Sequence, residues 1–281
     1  MYQIFIDIFR CIQKTYIQLN SNVSITREYS ILLLFVKVKN YPDQKENDLI
    51  MTMKKKNGLS HENYKIKICK NGPYLISGGI PLIQKIIKYD SKWDSCEWQD
   101  SKTYKKQENY ALCRCGQSKN KPFCDATHTQ VNFNGTETAS PEDYCKNVVE
   151  LDGPGLTLMD AKDLCASARF CHRAGGIWNL ILTSDNTGDK KIAIEESADC
   201  PSGRLVVYDK KTENLIEPTF DPSIVLIEDP FVGVSGPIWV RGGIPLESVD
   251  GSIYAKRNRV TLCRCGKSKN KPFCDSSHYP E

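Results

Sequence analysis

Short apolar runs that end at paired glycines occur twice along this chain and predict two similar strand–turn units. The two segments read NGPYLISGGIPL, from residue 71, and GPIWVRGGIPL, from residue 236. Each contains Gly-Pro, an apolar run (74–76 and 238–240) and a Gly-Gly pair. β-Branched and aromatic runs bounded by glycine are typical of strands that end in a turn. The chain therefore contains an internal repeat of a β-rich unit.

The pattern between the two units changes to a mixture of strand and helix. Residues 156–158 and 205–208 predict strands, and residues 159–168 predict a helix. The predicted fold is α+β with mainly short strands, in which two small β-rich units flank an α+β insert. The predicted domains are an N-terminal extension (1–60), a first unit (62–135), the insert (144–217) and a second unit (230–281).

The N-terminal extension has its own pattern. Ile4, Ile8 and Ile12 recur at helical spacing, and residues 31–38 form an apolar run too short to span a bilayer. Charged Asp7 and Arg10 interrupt the early apolar stretch and argue against a signal peptide. The extension is either dispensable or mis-assigned, or it is a targeting or membrane-proximal segment. We expect no transmembrane segment.

Composition is that of an ordinary globular protein, with 40% hydrophobic and 26% charged residues and a net charge of +4. The 13 cysteines are the unusual feature. Free thiols in metal-type spacing indicate an intracellular reducing compartment. This would be the cytoplasm, or an organelle such as the mitochondrion if residues 1–50 are a targeting segment.

Cysteine and histidine concentrate in two nearly identical segments, here called the first and second metal blocks. They read LCRCGQSKNKPFCD, from residue 112, and LCRCGKSKNKPFCD, from residue 262, and a histidine follows each one. Each block presents C-x-C-x8-C-x3-H, which is a complete four-ligand metal site. The candidate ligands are Cys113, Cys115, Cys124 and His128 in the first block and Cys263, Cys265, Cys274 and His278 in the second.

Two kinds of metal fit three thiolates and one imidazole. Zinc accepts this ligand set, but its usual signature is a pair of C-x2-4-C knuckles. A two-iron cluster is wider than one ion, and it suits a C-x-C pair on one iron and a Cys/His pair on the other. The spacing favours one [2Fe–2S] cluster per block, and a structural zinc module with Cys3His sites is the alternative.

At these residues the chain resembles the CDGSH iron–sulfur signature, C-x-C-x2-S-x3-P-x-C-D-G-x-H. The first block matches it at Ser118, Pro122 and Asp125, and the second matches at the equivalent positions. The signature glycine is replaced by Ala126 and Ser276. We expect Asp125 to N-cap a helical turn, so that the next residue has ordinary helical dihedrals and glycine is not required. That turn would place Cys124 and His128 on one face.

The resemblance also predicts how the two units pair. A unit of this size is too small to bury a core alone. CDGSH proteins of the mitoNEET kind solve this by dimerising with one copy per chain. Two copies in one chain predict an intrachain pseudo-dimer with approximate two-fold symmetry, and hence a monomer.

Three cysteines of the insert form a second candidate site. Cys165, Cys171 and Cys200, the last followed by Pro201, resemble the pattern of divergent mono-cluster ferredoxin domains. They would hold a third iron–sulfur cluster, with His172 or Cys145 as a fourth ligand in the four-iron case. The alternative is three buried cysteines in a ferredoxin-like fold that has lost its cluster.

No nucleophile–base pair or phosphate-binding glycine loop stands out, so we expect a protein that is not an enzyme. Each metal block offers one aromatic residue, Phe123 or Phe273, which is too few for a nucleic-acid stacking surface. We therefore expect an iron–sulfur protein that acts in one-electron transfer or in cluster storage and transfer. Its partners would be unidentified redox or cluster-acceptor proteins.

Overall fold

The fold is taken from a computed structural model, which describes residues 63–140 and 148–280. The predicted N-terminal extension and Cys145 lie outside these residues. Mixed α+β structure with mostly short strands confirms the predicted fold class, with an insert between two related units. None of the helices in the described ranges is long and apolar enough to cross a membrane.

One sheet consists mainly of strands from the first unit. Strand β1 (Lys65–Ile68) pairs with β2 (Tyr74–Ser77), which in turn pairs with β5 (Asn109–Leu112). The edge beside β1 is occupied by β12 (Leu246–Glu247), a strand from the far end of the chain that runs parallel to β1. The spatial order is therefore β12-β1-β2-β5.

The second sheet repeats this arrangement with the roles of the two units exchanged. Strands β10 (Ser223–Asp229), β11 (Val234–Arg241) and β13 (Arg259–Leu262) come from the second unit. Beside β10 lies β3 (Leu82–Tyr89), again parallel, and β4 (Ser95–Thr103) follows at the edge. Each unit thus gives the strand after its Gly-Gly turn to the other unit's sheet. The predicted strands at 74–76 and 238–240 lie in β2 and β11, at equivalent positions.

The strand exchange produces one core shared by both units. Ile66 is paired with Leu246, and Ile224 with Leu82, so that apolar residues of both units face the same interior. Strand β10 belongs to this core, whereas the predicted start of the second unit, residue 230, leaves that strand out. Neither unit closes its own core without the other.

The insert has a sheet and a core of its own. Strands β6 (Val149–Asp152), β7 (Leu156–Asp160), β8 (Leu205–Asp209) and β9 (Asn214–Ile216) form an antiparallel sheet in that order. Helix α1 (Thr127–Gln130) belongs to the first metal block, and the insert carries α2 (Ile177–Leu182) and α3 (Thr187–Asp199). The side chain of Asn186 caps α3 by accepting from the amides of Gly188 and Asp189.

The predicted helix at 159–168 is wrong. Strand β7 continues through Asp160 because its pairing with β8 extends that far. The buried carboxylate of Asp160 then forms a two-pronged ion pair with Arg204, at 2.6 and 2.8 Å. Only Lys162–Leu164 forms a helical turn, of the 3-10 type. A long-range ion pair and the strand pairing override the local pattern.

Candidate metal centres

Each metal block is a loop that leaves the last strand of its unit and folds back onto it. Leu112 of β5 forms a bridge with Phe123, and the amide of Cys113 donates to the carbonyl of Pro122 at 2.9 Å. The hydroxyl of Ser118 donates to the carbonyl of Phe123 at 2.6 Å, and the peptide before Pro122 is cis. The second block repeats these contacts with Leu262, Phe273, Cys263, Pro272 and Ser268.

The aspartate that follows the third cysteine ties the loop together. In the first block the carboxylate of Asp125 accepts from the amide of Lys119 at 2.8 Å and from the amide of Thr127 at 3.0 Å. Hydrogen bonds from Thr127 and from the Lys119 amide hold the pKa of Asp125 well below its usual range. Asp275 has the same two amide partners in the second block, those of Lys269 and Ser277.

The signature-glycine position does not have the helical conformation expected of it. Ala126 has φ +67° and Ser276 has φ +72°, both in the left-handed region that favours glycine. The expectation of ordinary helical dihedrals after an Asp125 N-cap is therefore wrong, although alanine and serine do occupy the position. The carboxylate of Asp125 accepts a hydrogen bond from the amide of Thr127 and so closes a short turn. Ala126 lies inside this turn and has left-handed dihedrals. Both blocks carry this strain at the same place.

The candidate ligands approach one another in pairs. The Sγ atoms of Cys113 and Cys115 are 3.7 Å apart, and those of Cys263 and Cys265 are 3.6 Å apart. Two thiolates that share one tetrahedral metal at about 2.3 Å lie about 3.7 Å apart. Each C-x-C pair therefore already has the separation that one metal atom imposes.

The cysteine and histidine of each block form the second pair. Cys124 Sγ lies 3.4 Å from His128 Nδ1, and Cys274 Sγ lies 3.4 Å from His278 Nδ1. A thiolate and an imidazole nitrogen on one tetrahedral metal would be about 3.6 Å apart. Each cysteine lies beside its histidine, on the Nδ1 side of the ring, but not on one helical face, since the first helix begins only at Thr127 and the second block has none. Across the described part of the chain, no three Cys, His, Asp or Glu side chains gather around one point where a single ion would bind.

Backbone amides point at the sulfur atoms of both blocks. The amide of Gln117 lies 3.4 Å from Cys115 Sγ, and that of Lys267 lies 3.5 Å from Cys265 Sγ. In the second block the amide of Ser276 also lies 3.5 Å from Cys274 Sγ. Such donors favour the thiolate over the thiol. These amides offset part of the effect of burial, which raises the pKa of the Cys115 and Cys274 thiols.

The two metal blocks touch each other through their glycines. A methyl group on Gly116 would lie 2.5 Å from the carbonyl oxygen of Cys265, and one on Gly266 would lie 2.5 Å from that of Cys115. Both glycines also have positive φ, +77° and +80°. Only a residue without a side chain fits such a contact. This reciprocal contact places the two candidate sites side by side across the pseudo-two-fold axis.

Sequence reasoning missed the role of the arginine between the first two cysteines. Arg114 is almost completely buried and donates to the carbonyls of Gly72, Cys69 and Gly135. Its counterpart Arg264 donates to the carbonyls of Gly236 and Ile227 and pairs with Glu228. Each arginine therefore anchors its block to the unit's Gly-Pro segment. The repeated arginine was the available signal.

Burial changes the protonation of the second block. It lowers the pKa of His278 to about 4, and the positive charge of Arg264 acts in the same direction. Burial also raises the pKa of the Cys274 thiol. Both shifts favour the uncharged form of each side chain in the absence of metal. Metal binding at this pair would release the thiol proton.

The three insert cysteines, Cys165, Cys171 and Cys200, lie close enough to influence one another's ionisation. Burial raises the pKa of the Cys171 thiol to about 12, and the charges of Cys200 and Cys165 add to the effect. Cys171 and Cys200 also pack against the insert core. His172, proposed as a fourth ligand, is exposed, and its ring centre lies 6.3 Å from that of Trp178.

Glu196 is a second residue that sequence reasoning missed in the insert. Its side chain is fully buried in α3, and neither carboxylate oxygen has a hydrogen-bond partner among the described residues. Burial raises its pKa to about 8. Its charge also acts on the Cys171 thiol. No periodicity in the sequence distinguishes this glutamate from its exposed neighbour Glu195.

Comparison with protein families matches each of these regions. The model for iron-binding zinc finger, CDGSH type, matches residues 71–129 and 235–279. The model for the divergent 4Fe-4S mono-cluster matches residues 151–210. The matched ranges contain the ligand pairs of both blocks and the three insert cysteines. No curated protein and no solved structure matches the chain.

Proposed function

We propose that this chain, in which two CDGSH-type iron-binding domains flank a divergent 4Fe-4S mono-cluster region, holds one [2Fe–2S] cluster in each metal block. The ligands would be Cys113, Cys115, Cys124 and His128 in the first block. In the second they would be Cys263, Cys265, Cys274 and His278. The protein would serve as a carrier of electrons or of clusters, and not as an enzyme.

The observation that carries this proposal is the pairing of the ligands. Each block presents a Cys/Cys pair at 3.6–3.7 Å and a Cys/His pair at 3.4 Å. Each pair has the separation set by one tetrahedral metal. Two pairs per block suit a cluster with two irons, since each iron takes two protein ligands and shares two sulfides.

The ligand set suits reversible one-electron chemistry. A [2Fe–2S] cluster accepts and gives up one electron when bound. The histidine contributes a neutral nitrogen, and replacing a thiolate with a neutral imidazole raises the reduction potential. The amides of Gln117 and Lys267 donate to ligand sulfurs and act in the same direction. The chain's own groups therefore favour the reduced form.

The histidine also supplies the weak point that cluster transfer requires. An imidazole that leaves the metal can take up a proton, whereas a thiolate is held by both charge and softness. The Cys/His pair would thus open before the Cys/Cys pair. This property supports cluster storage and transfer beside electron transfer.

The insert would bind a third iron–sulfur cluster through Cys165, Cys171 and Cys200. Support comes from the family match over 151–210 and from the mutual influence of the three thiols. An iron and sulfide content clearly above that of the two blocks, lost in the Cys171→Ser variant, would establish this cluster. A content unchanged by that variant would contradict it.

An exchange experiment separates electron carrier from cluster donor. Anaerobically purified holo-protein is mixed with an apo-ferredoxin, and the two are separated after incubation. A cluster donor gives a coloured ferredoxin and loses iron and sulfide in equal amounts. A carrier of electrons alone keeps its iron, and a colourless ferredoxin after long incubation would contradict the transfer role.

A further inference from the structure

The two metal blocks differ in how far their Cys/His halves are covered. In the first block Lys121, Asp125 and Ala126 are exposed and Cys124 is half-buried. The equivalent residues of the second block are half-buried, and Cys274 is only 3% exposed. The nearly identical sequences do not account for this difference. Its cause must lie in what packs against each block.

The insert packs against the second block through hydrogen bonds. The hydroxyl of Ser276 donates to the carbonyl of Cys165 at 2.7 Å. The side-chain amide of Asn270 donates to the carbonyl of Asp163 at 3.1 Å. Ser276 replaces the signature glycine, and its own amide lies 3.5 Å from Cys274 Sγ. The first block has Ala126 at this position, and alanine has no hydroxyl to donate.

An arginine of the insert holds the residue that follows the second histidine. The guanidinium of Arg169 lies 4.9 Å from the centre of the Tyr279 ring, in a cation–π contact. The same guanidinium forms an ion pair with buried Asp229 of β10 at 2.7 Å. Arg169 therefore links the tail of the second block to the shared core, next to His278.

The first unit adds further bonds to the second block. The hydroxyl of Tyr74 lies 2.9 Å from the carbonyl of Cys263 and 3.1 Å from that of Pro272. The amides of Thr138 and Ala139 both donate to the carbonyl of Lys271 at 2.8 Å. Ile238 occupies the place of Tyr74 in the second unit and has no hydroxyl. The second block is thus fastened from two sides.

We infer that the two blocks differ in cluster release: the first gives up its cluster readily to an acceptor protein, and the second, fastened by the insert, releases its own more slowly. The inference rests on the proposed function. In the exchange, thiolates of the acceptor form bonds to iron as the bonds to the first block's ligands break. The freed imidazole and thiolates take up the protons that the acceptor thiols lose, and no electron is transferred. Such an exchange requires that the acceptor reach the Cys124/His128 pair.

Release kinetics of the full-length holo-protein test the inference. An excess of apo-ferredoxin is added, and loss of colour from the chain is followed over time. The two blocks should give two phases of equal amplitude, apart from any absorbance of the insert cluster, and a His128→Ala variant should lack the fast phase. A His278→Ala variant should lack the slow one. A single phase in the wild-type protein, or a fast phase that survives His128→Ala, would overturn the inference.

Substitution of the fastening residues supplies the second test. Ser276→Ala places at 276 the residue that the first block tolerates at the same positive φ, so it removes the hydrogen bond without new strain. Loss of one hydrogen bond should speed the slow phase by about two- to tenfold. Asn270→Ala should act in the same direction. The matched control Ala126→Ser adds a hydroxyl at the exposed site and should leave both phases unchanged.

The outcomes separate this inference from the proposed function. A protein purified without iron or sulfide in either block would refute the proposed function itself. A protein with full iron and sulfide whose blocks release at equal rates would refute only the difference in cluster release. A slow phase that neither Ser276→Ala nor Asn270→Ala accelerates would show that the insert does not hold the second cluster.

Discussion

The cysteine and histidine that lie side by side in each metal block determine its expected response to acid. His128 Nδ1 and His278 Nδ1 each lie 3.4 Å from a cysteine sulfur, so in the proposed sites one imidazole and one cysteine would bind the same iron. The neutral imidazole forms the weaker bond to iron, so it would be the first ligand to leave as the pH falls. Its protonation therefore governs how the protein responds to acid.

Replacing a ligand histidine with cysteine should make its site more resistant to acid and lower its potential. A thiolate competes better with protons for iron near the ordinary histidine pKa of about 6.5, and its charge disfavours the reduced form. His128→Cys should therefore slow loss of visible absorbance below about pH 6.5. Wild-type decay rates in both His128→Cys and His278→Cys would show that neither histidine is a ligand.

His278 should take up a proton only at low pH. Burial lowers the pKa of His278 to about 4, so its freed ring takes up a proton only as the pH falls toward that value. Acid loss from the second block should accordingly begin at lower pH than an ordinary histidine ligand would allow. Absorbance decay of the His128→Ala variant in a background without Cys165, Cys171 and Cys200, measured from about pH 7 to about pH 4, reports on this block alone. Decay that sets in near pH 6.5 would contradict the shift.

Glu196 should make the stability of the folded protein fall as the pH rises. Its pKa is about 8 in the folded protein and 4.5 for an ordinary glutamate, so the folded state binds its proton more tightly. The stability this proton contributes is complete below pH 4.5 and is lost as the pH rises through 8. The Glu196→Gln variant stays neutral at this position. Its free energy of unfolding should exceed that of wild type by on the order of 1–3 kcal/mol at about pH 9.

Denaturant unfolding at several pH values measures this effect. The matched control is Glu195→Gln, on the same helix, whose side chain is 54% exposed and pairs with Lys191. The control should follow wild type at every pH, since exposed ion pairs contribute little. Identical pH profiles for Glu196→Gln and wild type would contradict the buried, unpaired state of Glu196.

At the scale of elements, the loops of the two blocks depend on each other. Gly116 rests on the backbone of Cys265, and Gly266 on that of Cys115. A side chain on either glycine would push the loops apart. Both candidate centres should therefore respond to a change in one loop.

Gly116→Ala should destabilise the protein far more than an ordinary glycine substitution does. The new methyl group would lie 2.5 Å from the carbonyl oxygen of Cys265, in addition to the strain of φ +77°. Gly233→Ala is the matched control, because Gly233 has φ +74° and no atom within 4 Å of the added carbon. Denaturant unfolding should show that the control loses about 1 kcal/mol of unfolding free energy and that Gly116→Ala loses about 3 kcal/mol or more. Equal effects would mean that the loops do not touch.

Element patterns predicted the repeat, the two equivalent strands and the ligand pairs, because these depend on local spacing. They did not predict the exchange of β3 and β12 between the sheets, since an apolar run does not indicate which strand it will pair with. They also placed a helix at 159–168, where Asp160 instead continues β7 to meet Arg204. Positive φ at Ala126 was missed because hydrogen bonds of Asp125, and not residue preference, impose it.

In the whole molecule, the two related units pair with each other within one chain. Each sheet includes a strand from the other unit, and the two metal blocks meet at the pseudo-two-fold axis. Within residues 63–140 and 148–280, apolar side chains of both units form one shared core. The insert breaks the symmetry, because it packs against the second block.

A monomer is the expected state in solution. Sedimentation equilibrium should give the mass of one chain over a wide range of concentration, since the exchanged strands close the core internally. A mass that rises to twice that value at low concentration of protein would contradict an intrachain pseudo-dimer. Such a result would mean that β3 and β12 pair between chains.

The most direct test of the central claim is the metal and sulfide content of anaerobically purified protein. If each block holds one [2Fe–2S] cluster, a variant without Cys165, Cys171 and Cys200 should be red-brown, with about four iron and about four sulfide per chain. His128→Ala in that background should remove about half of both. A colourless protein that contains about two zinc ions per chain and no sulfide would contradict the claim.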